Sequence, residues 1–252
     1  MQKTHDIHPL LAANRSYWLG WQGSTDADAH ADLVTYRSEI PTQMLNGVLR
    51  VRGLPIAEAA QIARDRLRGL PWVWWVGADS EPGTADALLA VGAKALWTVP
   101  VMAVSIKDVT PGRFPEGLTI EPVQDEATLR EHVACYLAAF GRPADSLELT
   151  VERELSYAAG SAEIVRLVGR IAGRTVGTAS VLIHDGVAAL YYVGTDAGYR
   201  RRGIANALTA EALRIAATRG ARTATLQARP AALGVYRAMG FETVAELQIF
   251  TL

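Results

Sequence analysis

Apolar positions along this chain alternate between two spacings, every third or fourth residue and every second residue, which predicts a mixture of helices and strands. In the first half, Ile56, Ala59, Ala60, Ile62 and Ala63 recur at helical spacing until Gly69 and Pro71 end the run, so a helix is predicted over Ile56–Leu70. Further helices are predicted around His8–Gly20 and over Thr84–Val91, the latter stopped at Gly92. Asp32–Ser38 and Met44–Arg52, rich in Val, Leu and Tyr, read as extended. So do Pro71–Val76, which is short, aromatic and β-branched, and Ala95–Ile106.

The second half restarts with a strand at Thr119–Val123 and a helix at Glu126–Phe140, with Asp125 placed to cap its first turn. A helix over Ala144–Tyr157 follows, then three extended runs at Glu163–Ala172, Arg174–Ile183 and Val187–Thr195. Asp185-Gly186, between the last two, is a hairpin signal, because a two-residue turn needs positive φ and both residues tolerate it. Helix Gly203–Arg219, strand Thr223–Gln227, helix Ala231–Met239 and strand Thr243–Thr251 complete the order.

Between the halves, Lys107–Gly117 carries Pro111, Gly112, Pro115 and Gly117 among polar neighbours, the composition of a connection. The reading is therefore an α/β (α+β) chain of two domains, residues 1–110 and 118–252. A weak internal repeat runs through both: strand Trp72–Val76, helix Thr84–Val91, Gly92 and strand Ala95–Ile106 parallel strand Thr223–Gln227, helix Ala231–Met239, Gly240 and strand Thr243–Thr251.

Composition narrows the function classes. Half of the residues are hydrophobic and the formal net charge is -1, so the chain is globular and has no general attraction for a nucleic acid. One cysteine, Cys135, excludes an intramolecular disulfide and a thiolate cluster, and the five histidines are scattered, so no metal is expected. The polar start Met1–Asp6 and the lack of a long apolar run predict a cytoplasmic protein without a membrane partner. Oligomeric state is not readable from the sequence.

One segment carries chemistry. The strand ending at Thr195 runs into Asp196-Ala197-Gly198-Tyr199-Arg200-Arg201-Arg202-Gly203-Ile204-Ala205-Asn206, after which Ile204, Leu208, Ala212 and Ile215 mark a helical face. Gly203 and Ala205 thus fall at a helix N-terminus, where unpaired N–H groups and the helix dipole stabilise an anion. Arg201 and Arg202 add charged donors. Neither Gly-Lys-Ser/Thr nor Gly-x-Gly-x-x-Gly is present, which excludes two other phosphate motifs.

Here the sequence resembles the GNAT acyltransferase superfamily. Its Arg/Gln-x-x-Gly-x-Gly/Ala signature is matched by Arg200-x-x-Gly203-x-Ala205, after the strand Tyr192-Val193-Gly194-Thr195, and the likeness covers roughly Thr119–Leu252. The resemblance implies that the amides of Arg201 to Asn206, through Arg202, Gly203, Ile204 and Ala205, hold the pyrophosphate of coenzyme A. It also implies that Val193, Gly194 and Thr195 pair with the pantetheine amides, and that an amide of Val193 or Gly194 donates to the thioester carbonyl. The segment ending in Tyr236-Arg237-Ala238-Met239-Gly240-Phe241 is similar to the family's Tyr-x-x-x-Gly-Phe, which implies that Tyr236 acts as a general acid toward the departing thiolate. Seven residues earlier, where many relatives carry Asn, this chain has Arg229.

The implied fold is two GNAT-like domains, each a mixed, mostly antiparallel sheet flanked by helices, with acetyl-coenzyme A as acyl donor and a small-molecule amine as acceptor. The Pro-Trp-x-Trp-Trp-Val and Asn46-Gly47-Val48-Leu49 segments resemble tandem GNAT proteins with one active half. In such a chain the first half is degenerate: it lacks the phosphate signature, and Leu88 holds the place of Tyr236. Trp72, Trp74 and Trp75 either line an acceptor pocket or pack in a core. The general base is unassigned, with Glu152, Glu154, Glu163 or a water chain available. Two other functions fit the motifs: an acyl-coenzyme A sensor without turnover, and transfer from a carrier protein's phosphopantetheine.

Overall fold

The computed structural model describes residues 5–22 and 31–252, so the polar stretch Met1–Thr4 and His30 lie outside the described residues. The chain forms two compact units, one of Met1–Val101, Ser156–Ser161 and Thr243–Leu252, the other of Met102–Leu155 and Ala162–Glu242. No helix among the described residues is long and apolar enough to cross a membrane.

In the first unit, α1 (Ile7–Gly20) is capped by Asp6, whose carboxylate accepts from the His8 amide at 3.0 Å. β1 (Leu33–Arg37), β2 (Asn46–Val51), α2 (Ile56–Arg66), β3 (Val73–Val76) and α3 (Thr84–Ala90) follow, leading into β4 (Lys94–Ser105). β1 and β2 are antiparallel, and β2 and β3 parallel. The last strand of the chain, β10 (Glu242–Thr251), pairs antiparallel with β3, setting Ile249 opposite Trp75 and Phe250 opposite Trp74.

That pairing places the end of the chain in the first unit, whereas the sequence suggested that residues 118–252 stay together. Phe250 joins the apolar cluster of Trp72, Trp74 and Leu88, so the strand is held there by burial as well as by backbone hydrogen bonds. Trp72, Trp74 and Trp75 are all buried, and the Trp75 indole donates to the Tyr36 hydroxyl at 3.0 Å. They are core residues. The predicted helix Ala144–Tyr157 is shorter than expected, because Tyr157 and Ala158 turn away to bond the carbonyls of Tyr17 and Gly20.

The second unit orders its strands as the end of β4, β9 (Thr223–Gln227), β8 (Val187–Thr195), β7 (Arg174–His184), β6 (Glu163–Ile171) and β5 (Leu118–Pro122). The pairs from β5 to β8 are antiparallel, and β8 with β9 is parallel. This is the mixed, mostly antiparallel sheet expected. The turn between β7 and β8 has Asp185 at φ 45° and Gly186 at φ 76°, as the dipeptide required. Helices α4 (Glu126–Ala139), α5 (Leu147–Leu155), α6 (Ile204–Thr218) and α7 (Leu233–Ala238) complete the unit. Both α4 and α6 pack on β7, which is buried from Val176 to Ile183.

Polar groups buried under α4 are fully engaged. His132 is completely buried; its Nδ1 lies 3.1 Å from the Leu167 carbonyl, and the Ser180 hydroxyl lies 3.2 Å from Nε2. A carbonyl only accepts, so Nδ1 carries the proton and Ser180 donates to Nε2 of a neutral ring. One turn on, the Tyr136 hydroxyl donates to Glu154 at 3.1 Å, and Arg166 Nε donates to the same carboxylate at 2.7 Å.

Burial, and then the nearby Arg166, lower the His132 pKa to about 3. The unfolded chain therefore takes up a proton below about pH 6.5 that the folded chain refuses. The stability this residue confers is present above pH 6.5 and is lost as the pH falls toward 3. Urea unfolding of the second unit between pH 7 and pH 5 is expected to lose up to about 1.4 kcal/mol per pH unit through this residue. His132→Gln should remove that component of the slope, and an unchanged slope would contradict the neutral buried ring.

Candidate active site

The site begins where two parallel strands part. β8 and β9 pair from Val187 with Thr223 to Leu190 with Leu226, but β8 continues to Thr195 without that neighbour. On its other side β8 stays with β7, with one irregularity. Tyr191 faces Ser180 and Gly194 faces Thr178, so Tyr192 and Val193 share the single place opposite Ala179. That extra residue makes a bulge, with Tyr192 at φ 46°. The Thr178 hydroxyl donates to the Tyr192 carbonyl at 2.8 Å, and the Tyr192 ring stacks on Tyr136 at 4.1 Å and 7°.

The open edge of β8 leads into the start of α6. Gly203 takes the N-cap position at φ 83°, a conformation that strains any residue with a Cβ, and no side chain caps the helix. The first intrahelical bond runs from the Ala207 amide to the Gly203 carbonyl at 3.0 Å, so the amides of Ile204, Ala205 and Asn206 are left for an external acceptor. α4 differs: its first turn is closed by Asp125, which accepts from Thr128 at 2.7 Å. Arg201 sits at φ 61° in the turn before α6, a placement that costs about 1–2 kcal/mol for a residue with a side chain.

Close packing fixes where that helix starts. A Cβ on Gly177 of β7 would lie 2.7 Å from Ile204 Cγ2 and 2.8 Å from Leu208 Cδ1, inside van der Waals contact. Its absence lets the first turns of α6 lie directly on the sheet. The Asn206 carboxamide oxygen accepts from the Gly112 amide at 2.6 Å, which ties the loop before β5 to the same turn.

These elements enclose a cavity of about 630 Å³. Of the residues expected at the site, Val193, Gly194, Thr195, Arg200, Arg201, Gly203, Ile204, Ala205 and Asn206 line it together. Arg200 is braced by the carbonyls of Ala139 at 3.2 Å and Thr195 at 3.4 Å. Arg202 is not in the lining; it lies over the Tyr199 ring at 5.1 Å and donates to the Gly198 carbonyl at 3.3 Å. Nor is Tyr236, although Ala232, Val235 and Ala238 around it are. Tyr236 is packed in the core, edge-on to Phe241 at 5.7 Å, and burial alone raises its phenol pKa.

Sequence reasoning missed Ala139 and Phe140, at the end of α4, as cavity walls. No local motif marks them, because their role arises from the packing of α4 on β8. Arg229 was noticed only as a departure, yet it lines the cavity with its guanidinium 4.4 Å from the centre of the Phe140 ring. Of the acids considered as a base, Glu154 is committed to Tyr136 and Arg166, Glu163 pairs with Arg219, and Glu152 lies 3.9 Å from Arg153. No Asp or Glu is among the described residues lining the cavity. No cluster of three or more His, Cys, Asp or Glu residues suited to a metal occurs among the described residues.

Solved structures with the same fold include a GCN5-related N-acetyltransferase from Kribbella flavida, with a TM-score of 0.70 at 22% identity, covering 97% of this chain and 96% of that one. A GCN5-related N-acetyltransferase from Sphaerobacter thermophilus aligns with a TM-score of 0.59 at 22% identity, over 77% of this chain and 65% of that one. A tandem GNAT protein from the clavulanic acid biosynthesis pathway aligns with a TM-score of 0.58 at 13% identity, over 78% of this chain and 67% of that one. No curated protein matches the sequence. Residues 126–241 match the acetyltransferase (GNAT) family profile, and these are the residues that build the parted strands and the open helix start. The matched stretch, residues 126–241, therefore has the profile and fold of the acetyltransferase (GNAT) family, which imply acyl transfer from coenzyme A.

Proposed function

We propose that this domain moves a short acyl group, acetyl in the simplest case, from coenzyme A to a small-molecule amine by direct attack within a ternary complex. The observation that carries this reading is the continuous path from the open edge of β8 to the uncapped start of α6 within one cavity. An extended chain of amides can add to the edge at Val193–Thr195 as a further strand would, and the diphosphate that follows it suits the free amides at Ile204–Asn206. The residues present fit such a donor. The left-handed Gly203 keeps a side chain out of the cradle, and the cavity wall carries only positive charge.

In the transfer, the amine nitrogen forms a bond to the thioester carbonyl carbon, the carbon–sulfur bond breaks, and sulfur leaves with the electron pair. The proton lost by the amine passes to solvent, since no Asp or Glu is among the described residues lining the cavity. A backbone amide of Val193 or Gly194 donates to the carbonyl oxygen as charge grows there. Tyr236, packed behind the wall residues Ala232, Val235 and Ala238, is assigned to the thiolate as a hydrogen-bond donor on the resemblance of its segment to the family's. Even at reference values a phenol near pKa 10 and a thiol near 8.5 make full transfer uphill by about 2 kcal/mol, and burial raises the phenol further. The phenol thus keeps its proton, and the thiolate takes its proton from solvent.

A second reading, binding of acyl-coenzyme A without turnover, is favoured by the same absence of a carboxylate from the cavity wall. Thiol release with and without a panel of amines separates the two: amine-dependent release supports transfer, and tight binding without release supports the sensor.

Gly203→Glu sets a carboxylate in the cradle on a strained backbone, and calorimetry with desulfo-coenzyme A should show binding weakened at least 100-fold. Retained affinity would contradict the placement of the diphosphate. Tyr236→Phe keeps the packing against Phe241 and removes only the hydroxyl. It is expected to lower kcat by about 10- to 100-fold with a change in KM below threefold, and equal losses in both would remove the role given to this residue.

A further inference from the structure

The cavity holds a cation that the donor phosphates do not explain. Arg229 follows the end of β9 and lines the wall, but its guanidinium is held by the Phe140 ring, 4.4 Å away, and no carboxylate pairs with it among the described residues. The other charge that acts on it is Arg142, of the same sign. Phe140 fixes the position along the cavity. A Cβ on Gly194 would lie 3.5 Å from this ring, and the ring meets Tyr192 edge-on at 5.9 Å. Arg229 therefore stands beside the open edge of β8 at the bulge, whereas the phosphate cradle is the separate turn Gly203–Asn206.

We infer that Arg229 selects a carboxylate carried by one of the two reactants close to the reacting thioester, either on the acyl chain of the donor or on the amine acceptor. This rests on the reading of the cavity as the acyl-thioester site. An aromatic face orients a guanidinium without neutralising it, and leaves its planar fork of N–H groups free for a bidentate anion. A structural arginine in a folded domain has carboxylates or carbonyls around it, as Arg166 and Arg170 do here. Arg200, in the same cavity, is likewise committed to the carbonyls of Ala139 and Thr195. Arg229 differs from both. Its positive charge, with Arg142 of the same sign nearby and no Asp or Glu among the described residues of the wall, favours an anionic reactant over a neutral one of the same size.

Calorimetry on the full chain provides the test in two arms. One compares succinyl-coenzyme A with butyryl-coenzyme A; the other compares a panel of amino acids with the corresponding amino-acid amides on the complex with desulfo-coenzyme A. The carboxylate member of one arm is expected to bind at least 10-fold tighter, and that arm identifies which reactant carries it. Arg229→Gln should bring the ratio to within threefold of unity, and Arg229→Lys, which keeps the charge but loses the fork, should fall between. Near-equal binding in both arms for the wild-type protein, or a preference that survives Arg229→Gln, would overturn the assignment of Arg229 alone. Absence of any heat with desulfo-coenzyme A would overturn the donor-site reading, and this inference with it.

Discussion

The parting of β8 from β9 beyond Leu190 and Leu226 is the constraint on which the rest of the site depends. A strand inside a sheet has its backbone donors and acceptors taken on both sides, whereas β8 from Tyr191 to Thr195 has them taken by β7 alone. Such an edge accepts another extended chain. It is protected here by its shortness and by the cavity around it. The bulge at Tyr192 and Val193 turns the edge locally, and the missing side chain at Gly177 lets α6 begin close beside its end. Each feature alone is common in mixed sheets, but together they make one groove that runs from the open edge of β8 to the uncapped start of α6.

The bulge is secured from beneath by a buried network. Tyr192 stacks on Tyr136, whose hydroxyl bonds Glu154, and Arg166 holds that carboxylate. Burying an ion pair brings little net stability, but removing one partner strands the other and costs about 3–5 kcal/mol. Glu154 is consequently a fixed element of the wall behind the site, unsuited to exchanging protons with a reactant. The acid that sequence alone left as a possible base thus proves to be one of the anchors of the strand the site is built on.

Local features were legible in the sequence and partnerships were not. Asp185-Gly186 specified its hairpin, Asp125 its cap, and Gly203 the start of its helix, because each depends on backbone geometry within a few residues. The signature around Arg200–Asn206 and the strand at Val193–Thr195 were picked out by their resemblance to a known family, and all of these residues except Arg202 line one cavity. The last strand was read correctly as a strand, but its pairing with β3 could not be foreseen, since the alternation of side chains records the period of a strand and not its neighbour. Phe140 escaped notice because a phenylalanine at a helix end looks the same whether it faces a core or a cavity. Tyr236 was found by spacing, and spacing carries no information about depth: its burial, and the raised pKa that follows, come from the packing of α7.

That depth bears on how charge is managed in the proposed transfer. A phenol made less acidic by burial can steady a departing thiolate but gives up its proton reluctantly, so the negative charge on sulfur must be stabilised by other means as the bond breaks. Arg200, Arg201 and Arg229 line the cavity and add positive charge to it, and no Asp or Glu is among the described residues of its wall. Positive charge on the wall also lowers the pKa of a thiol, which makes the thiolate a better leaving group without a full proton transfer. The same field disfavours a protonated amine at the point of attack and so favours entry of the neutral, nucleophilic form.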